Sequence, residues 1–215
     1  MKVVALHAFP LDERMWNPQL EVLGRYDADT PNLYDLGGSS IEEWGRAILG
    51  GVDGDLAVVG ASMGGYVGLA MARLAPERVL GLLLAGSRAG ADTQERRAAR
   101  DEGIRTLQEE GIEPWAPNAP ALPPPERTVD ELVRSLEALR DRPDASDVVA
   151  GFSGPLWIAV GENDPFLPLD EAREIVESAP NGRLEIFAGA GHFTNLEQPE
   201  RFNELLGAFL NDLNA

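Results

Sequence analysis

The chain contains four short runs of β-branched and aliphatic residues that polar positions hardly interrupt. These runs are residues 2–7, 56–60, 79–85 and 156–161. A strand with one face in water alternates apolar and polar residues, whereas a nearly continuous run is typical of a strand that is covered on both faces. The four runs therefore predict the buried strands of a parallel sheet.

Weaker strand signals and helical patterns separate these runs. The weaker strands are expected at 26–30 and 184–188, and apolar residues recur with helical spacing at 41–49, 62–74, 170–178 and 200–213. Alternating strands and helices are typical of an α/β fold, in which helices cover both faces of the sheet. With 215 residues, of which 44% are hydrophobic, the chain has the size of one domain.

Residues 86–150 break this alternation, because they hold two helical patterns and no convincing strand. They are predicted to be a cap insertion into an α/β core formed by residues 1–85 and 151–215. In the second helix of the insertion, Thr128 and Glu131 have the spacing of a capping box. Between the two helices lies a proline-rich connection, which is either a surface linker or part of a lid over the site. Its prolines are Pro114, Pro117, Pro120, Pro123, Pro124 and Pro125.

Composition excludes several classes of function. A net charge of -18 argues against a nucleic-acid partner or an anionic membrane surface. The absence of cysteine excludes disulfides, thiolate metal sites and a cysteine nucleophile. The first residues lack the apolar core of a signal peptide, and no apolar stretch approaches the 18 or so residues that span a bilayer. We therefore expect a cytoplasmic protein without a membrane partner.

The segment Gly60-Ala61-Ser62-Met63-Gly64-Gly65 follows a predicted strand and precedes a predicted helix. In this context G-x-S-x-G is typical of a nucleophile elbow, where a strained turn presents the serine hydroxyl at the carboxyl end of a sheet. The alternative is a tightly packed turn or a phosphate-binding loop. The glycines match neither G-x-G-x-x-G nor G-x-x-x-x-G-K, so they favour the elbow.

A serine hydroxyl needs a base, and the usual base is histidine. The chain has two histidines, of which His192 follows the last predicted strand and His7 ends the first. A third group, a carboxylate, must accept the other imidazole N–H. The turn after the fourth apolar run offers Glu162 and Asp164. These positions predict Ser62 as nucleophile and His192 as base, with Asp164 and Glu162 both open as the acid.

Together, these residues resemble the α/β-hydrolase superfamily, in which nucleophile, acid and histidine follow one another in that chain order. The resemblance covers nearly the whole chain and favours Asp164 as the acid. Residues 6–11 are similar to the His-Gly loop of the family, although Ala8 replaces its common glycine. This likeness implies that the backbone N–H groups of Phe9 and Met63 form the oxyanion hole, and that His7 is structural.

The resemblance also implies a shortened, purely parallel sheet of six strands in the order 2-1-3-4-5-6, with the cap at 86–150. The implied activity is hydrolysis of small carboxylic esters through an acyl-enzyme on Ser62, without a metal or organic cofactor. Lactonase, thioesterase and non-hydrolytic lyase activities use the same triad, and a ligand receptor could retain it with little turnover. Ser87 is not an acid, so the alternative acid position of the family is empty.

A partly apolar substrate pocket is expected at the carboxyl end of the sheet. Its candidate lining residues are large apolar side chains, each of which also suits an ordinary core. They are Phe9, Trp16, Tyr66, Trp115, Leu122, Phe166 and Phe193. The sequence gives no prediction of the oligomeric state.

Overall fold

The computed structural model describes residues 1–112 and 127–214. Six strands form one sheet in the order β2-β1-β3-β4-β5-β6, and every neighbouring pair is parallel. The order and direction predicted from the resemblance are therefore confirmed. The strands are β1 (Lys2–Leu6), β2 (Ala28–Asp29), β3 (Leu56–Ala61), β4 (Val79–Ala85), β5 (Leu156–Gly161) and β6 (Gly182–Phe187).

Burial separates the central strands from the edge strands. Every residue of β3 and β5 is buried, as expected of continuous apolar runs with covered faces. The two weaker strand signals became the edges: β2 has only two residues, and most of β6 is partly or fully exposed. An edge strand pairs on one side only, so it needs less apolar sequence.

Helices surround the sheet, and each of the four helical patterns outside the insertion forms a helix that begins and ends within two residues of the expected bounds. The α-helices are α1 (Leu20–Leu23), α2 (Ile41–Gly51), α3 (Met63–Leu74), α4 (Gln94–Glu110), α5 (Val129–Asp141), α6 (Ser146–Gly151), α7 (Leu169–Ser178), α8 (Thr194–Glu197) and α9 (Pro199–Asp212). Two 3₁₀ helices, Glu13–Gln19 and Leu33–Leu36, were not predicted. None of the helices within the described residues is long and apolar enough to cross a bilayer.

Alternate residues of each central strand face two separate apolar clusters. Val4 and Leu6 of β1 contribute to the cluster beneath α2, α3 and α7, whereas Val3 and Ala5 contribute to the cluster beneath α9 and the first 3₁₀ helix. The sheet is therefore covered on both faces, which leaves its carboxyl edge and the following loops as the place where side chains from several strands can meet.

The region predicted as an insertion contains α4, α5 and most of α6. The capping box of Thr128 and Glu131 is present at the start of α5. The short α6 was not predicted. Its N-cap residue, Ala145, has no side chain that can cap the helix, and the carboxylate of Asp144 instead accepts a hydrogen bond from Ser146 N–H at 2.8 Å. The proline-rich connection lies outside the described residues.

Arg142 links this region to α3. Its guanidinium lies 2.8 Å from Asp92, with both side chains almost fully buried, and 4.1 Å above the ring of Tyr66 in α3. It also donates to the carbonyls of Leu139 and Gly90. Moving Arg142 away would leave a buried charge without a partner, which costs free energy. These contacts therefore hold the end of α5 against α3.

Candidate active site

Ser62 occupies the turn between β3 and α3, at the carboxyl end of a central strand. Its backbone has φ 47° and ψ −108°, and it is the one non-glycine residue with positive φ in the described parts of the chain. Such a conformation costs about 1–3 kcal/mol and persists where the surroundings determine it. The strained turn expected of a nucleophile elbow is thus present at Ser62.

The glycines on either side of Ser62 allow a close approach of backbone segments. A Cβ atom added to Gly60 would lie 2.5 Å from the Cα of Gly65, and one added to Gly64 would lie 2.1 Å from the carbonyl oxygen of Leu6. Any larger residue at these positions would separate α3 from β1 and β3. The spacing G-x-S-x-G therefore has a packing cause at both of its glycines.

The last residue of β4 and the two that follow it form a segment that we call the β4 clamp (Ala85, Gly86 and Ser87). Its first and third residues bind the backbone of Ser62 at both ends. The N–H of Ser62 donates to the carbonyl of Ala85 at 2.7 Å. The hydroxyl of Ser87 donates to the carbonyl of Ser62 at 3.0 Å. These two hydrogen bonds tie the elbow to the neighbouring strand.

His192 and Asp164 meet at the same edge of the sheet. The Nδ1 atom of His192, in the loop after β6, lies 2.9 Å from each carboxylate oxygen of Asp164, in the turn after β5. The Asp164 side chain is fully buried, and its Oδ1 also accepts hydrogen bonds from the N–H groups of Phe166 and Leu167. Because a carboxylate only accepts, Nδ1 carries the proton and Nε2 is left as the basic nitrogen.

Glu162, the alternative acid, lies elsewhere. It is exposed, and its carboxylate accepts a hydrogen bond from Gly189 N–H at 2.9 Å. The structure therefore places Asp164, and not Glu162, against the imidazole.

Gly86 lies directly against the His192–Asp164 pair. A Cβ atom added to Gly86 would lie 2.9 Å from both Nδ1 and Cε1 of His192 and 3.1 Å from Oδ2 of Asp164. The β4 clamp thus contacts the imidazole through Gly86 and the Ser62 backbone through the residues on either side. Within the described residues, the hydrogen-bond partner of the His192 ring is Asp164, and no hydrogen bond joins that ring to Ser62. Such nucleophile–base contacts commonly tighten only when substrate binds.

The two predicted oxyanion donors follow neighbouring strands, β1 and β3. Met63 is the first residue of α3, and its backbone N–H has no acceptor in the part of the chain that the structure describes. Phe9 is in the loop after β1, which pairs with β3 so that Leu6 is opposite Gly60. The positive end of the α3 dipole adds to the attraction for negative charge at this point.

His7 is at the base of the same loop but is used differently. It is fully buried, its Nε2 accepts a hydrogen bond from Leu33 N–H at 2.9 Å, and its Nδ1 lies 3.1 Å from the carbonyl of Ala8. Both ring nitrogens are therefore occupied, which agrees with the structural role implied for His7. Burial lowers the pKa of His7 from its ordinary 6.5 to about 4.

The lowered pKa of His7 predicts an acid-sensitive contribution to stability. Since the unfolded chain binds a proton more readily than the folded chain, the contribution is complete above about pH 6.5 and is lost as the pH falls toward 4. Between pH 7.5 and 4.5, we expect the wild type to lose roughly 2–3 kcal/mol more free energy of unfolding than His7→Asn, in which the amide oxygen accepts from Leu33 N–H without titrating. Urea unfolding at both pH values measures the difference. Equal losses in the two proteins would mean that His7 is not buried in its neutral form.

The sequence matches the model of the alpha/beta hydrolase family over residues 3–205. The chain belongs to this family. The elbow, the acid turn and the histidine loop described above all lie within the matched residues.

Solved structures of other family members are similar to this alpha/beta hydrolase over almost its whole length. An esterase from Thermogutta terrifontis superposes with a TM-score of 0.90 and 25% identity, covering 100% of this chain and 91% of that chain. An enol-lactonase from Burkholderia xenovorans superposes with a TM-score of 0.83 and 21% identity, covering 98% of this chain and 91% of that chain. At 21% identity, the likeness to the enol-lactonase shows the fold alone.

Among curated sequences, a 2-hydroxy-6-oxononadienedioate/2-hydroxy-6-oxononatrienedioate hydrolase of Paraburkholderia phymatum is 29% identical over 177 residues. The match covers 71% of this chain and 61% of the relative, so the chain spans about three fifths of that relative's length. The names of these relatives agree on hydrolysis and differ in the substrate.

Two aromatic residues of the expected pocket lie beside the imidazole of His192. The ring of Phe166 is 56% exposed and contacts His192 edge-on, with centroids 4.8 Å apart. The ring of Phe193 lies 5.1 Å from that of His192 and is partly buried. Phe166 is therefore the more exposed of the two aromatic rings beside His192.

Two of the other pocket candidates, Trp16 and Tyr66, are buried. Trp16 is fully buried and packs against Phe202 in the cluster beneath α9, so it is core and its assignment to the pocket was wrong. Tyr66 is buried on α3 beneath the guanidinium of Arg142. Trp115 and Leu122 lie outside the described residues. Aromatic character alone gave no information on which face of the sheet these side chains occupy.

Proposed function

We propose that this alpha/beta hydrolase is a serine hydrolase that cleaves small carboxylic esters through an acyl-enzyme on Ser62. The observation that carries the proposal is the contact of one short segment, the β4 clamp, with both the Ser62 backbone and the His192–Asp164 pair. A strained serine, an imidazole and a buried carboxylate at one edge of a sheet are the groups that acyl transfer requires.

In the first step, Oγ of Ser62 bonds to the ester carbonyl carbon as its proton passes to Nε2 of His192. The carbonyl oxygen takes the electron pair of the π bond and accepts hydrogen bonds from the N–H groups of Met63 and Phe9. When the π bond re-forms, the bond to the alcohol oxygen breaks, and Nε2 returns the proton to that oxygen. The products are an alcohol and an ester of Ser62.

In the second step, water gives a proton to Nε2 of His192 while its oxygen attacks the acyl carbon. The tetrahedral intermediate collapses with loss of Oγ of Ser62, which takes the proton back from Nε2. The carboxylic acid leaves, and the enzyme returns to its starting form. Asp164 holds the tautomer of His192 and stabilises the imidazolium in both steps.

Charge near the site supports an uncharged ester. Arg88 lies next to Phe166, where it donates to the carbonyl of that residue, but its guanidinium is already paired with Glu171 at 2.6 Å. A chain with a net charge of -18 also disfavours the approach of a dianion. The exposed ring of Phe166 offers apolar contact to a short acyl or alcohol group.

The likeness to the Paraburkholderia phymatum protein favours a second candidate, a hydrolase of an unsaturated oxo-dicarboxylate. Such a substrate carries two carboxylates, whereas the guanidinium of Arg88, which lies beside Phe166, is already paired with Glu171. Enol-lactones and thioesters use the same groups as esters, and they are further substrates to compare.

A substrate panel distinguishes these candidates. We expect the highest kcat/KM for short p-nitrophenyl esters, compared with a lactone, an acyl thioester and 2-hydroxy-6-oxononadienedioate. A kcat/KM for the dicarboxylate that is about tenfold above the best ester, a difference of about 1.4 kcal/mol in transition-state stabilisation, would favour the second candidate. Turnover of any substrate without an acyl-enzyme would indicate a lyase-like reaction. Saturable binding without turnover would indicate a receptor.

A further inference from the structure

Ser87 of the β4 clamp is a buried serine that takes no part in the proton transfers. It is 1% exposed, and its hydroxyl lies 3.0 Å from the carbonyl oxygen of Ser62 and 3.4 Å from that of Ala85. A hydroxyl has one proton to donate, so the shorter contact, to Ser62, is the stronger hydrogen bond. The loop after β4 thus contacts the backbone carbonyl of Ser62.

Three donors converge on that carbonyl. Two of them, the N–H groups of Gly65 and Tyr66 at 3.0 and 3.3 Å, belong to the first turn of α3 and point along the helix axis. The third is the hydroxyl of Ser87, which lies in the loop just after β4. Backbone bonds of the helix restrain the carbonyl along the axis, and the hydroxyl restrains it in a second direction.

The carbonyl of Ser62 and the N–H of Met63 are parts of the same peptide unit. This unit is planar and trans, so its C=O and N–H bonds point in opposite directions and rotate together. A group that fixes the carbonyl of Ser62 therefore also fixes the direction of the Met63 N–H. That N–H has no acceptor among residues 1–112 and 127–214, which leaves it available to an oxyanion.

The start of α3 is shaped around the Ser87 hydroxyl. A Cβ atom added to Gly65 would lie 1.9 Å from Oγ of Ser87 and 2.6 Å from its Cβ. Gly65 lies outside the G-x-S-x-G motif, so the motif does not account for it. Its lack of a side chain provides the space in which the hydroxyl meets the Ser62 carbonyl.

From this geometry we infer that Ser87 is a positioning residue, whose hydroxyl directs the Met63 N–H toward the oxyanion formed on the substrate. Ser87 touches neither the substrate nor the reacting atoms; it acts through the Ser62–Met63 peptide. The inference rests on the proposed function, because it requires an oxyanion at this edge of the sheet.

The test compares Ser87→Ala with Ser135→Ala on a short p-nitrophenyl ester. Ser135 is the matched control, because it is also fully buried and its hydroxyl also donates to a backbone carbonyl, that of Glu131 at 2.9 Å. Complete removal of an oxyanion donor costs about 10²–10³-fold in kcat, so a misdirected donor is expected to cost about 10–100-fold. We expect this loss in kcat per active site, counted by fluorophosphonate titration, with KM little changed. Ser135→Ala should keep the wild-type kcat.

Two further variants and one inhibitor separate positioning from folding. Ser87→Cys is close in size but has a weak S–H donor, so it should also lose rate, whereas Ser87→Thr keeps a hydroxyl and should recover most of it. A boronic acid that forms a tetrahedral adduct on Ser62 should bind Ser87→Ala more weakly by the same factor as the loss in kcat/KM.

Unchanged kcat per titrated site and unchanged boronic acid affinity in Ser87→Ala or Ser87→Cys would overturn the inference, even if thermal stability fell. In that case the wild type would still hydrolyse the ester, and the proposed function would stand. A wild-type protein with neither labelling nor ester turnover would instead overturn the proposed function and the inference together.

Discussion

Ser62→Ala is expected to lower kcat for a short p-nitrophenyl ester by about 10⁴–10⁶-fold, the range seen when the nucleophile of a Ser-His-Asp triad is removed. Without Oγ there is no acyl acceptor, and His192 has no proton to take from residue 62. The N–H of Met63 and the rest of the pocket remain, so a small rate above that of water is expected to persist. Initial rates at saturating ester, with wild-type and variant enzyme purified in parallel, measure the change.

Thermal unfolding of Ser62→Ala is the control that shows whether the variant keeps the fold. Residue 62 has φ 47°, and alanine meets the same backbone strain there as serine, so thermal unfolding should shift little. Ser135→Ala removes a buried hydroxyl at a distance from the elbow and should keep full activity. If Ser62→Ala retained more than about a tenth of the wild-type kcat, a difference of only about 1.4 kcal/mol in barrier, Ser62 would not be the nucleophile.

Asp164→Asn is expected to lower kcat by about 10⁴-fold, because the side-chain amide selects the wrong tautomer of His192. In the wild type, Oδ1 of Asp164 accepts from the N–H groups of Phe166 and Leu167 while both oxygens face Nδ1 of His192. In Asp164→Asn, the amide oxygen can still accept from the N–H groups of Phe166 and Leu167. The NH₂ group of the asparagine then points at Nδ1 of His192. His192 must then accept at Nδ1 and carry its proton on Nε2, so it presents no base to Ser62.

Glu162→Gln is the matched control for the acid. Glu162 lies in the same turn, but its carboxylate accepts from Gly189 N–H and does not meet His192. We expect its kcat to stay close to that of the wild type, with the pair of variants assayed on the same ester. A larger loss in Glu162→Gln than in Asp164→Asn would identify Glu162 as the acid.

The central strands and the chain order of the site could be predicted because their signals are local. Continuous apolar runs predicted the four central strands, and a glycine-rich turn between a strand and a helix predicted the elbow at Ser62. The two edge strands gave weaker signals, because β2 has two residues and most of β6 is partly or fully exposed. The α6 helix was missed, since it is six residues long and lacks a side-chain cap at Ala145.

Other parts of the site depend on contacts that sequence spacing does not encode. The sequence pattern alone did not distinguish Asp164 from Glu162 as the acid. In the structure, Asp164 is buried and Glu162 is exposed. Trp16 was expected in the pocket and lies in the core, because nothing in its sequence context shows which side of the sheet it faces. From the sequence, Ser87 was interpreted only as a residue that leaves the alternative acid position of the family without a carboxylate. Gly65, the extra glycine after the motif, was the one sequence signal that could have pointed to it.

Mass mapping of a fluorophosphonate adduct tests most directly whether the Ser62 hydroxyl is a nucleophile activated by His192. We expect one adduct on the peptide that contains Ser62, formed rapidly in the wild type and far more slowly in His192→Gln, which cannot take up the proton. An adduct on another hydroxyl, no adduct, or equal labelling rates in the two proteins would contradict a triad built on Ser62 and His192.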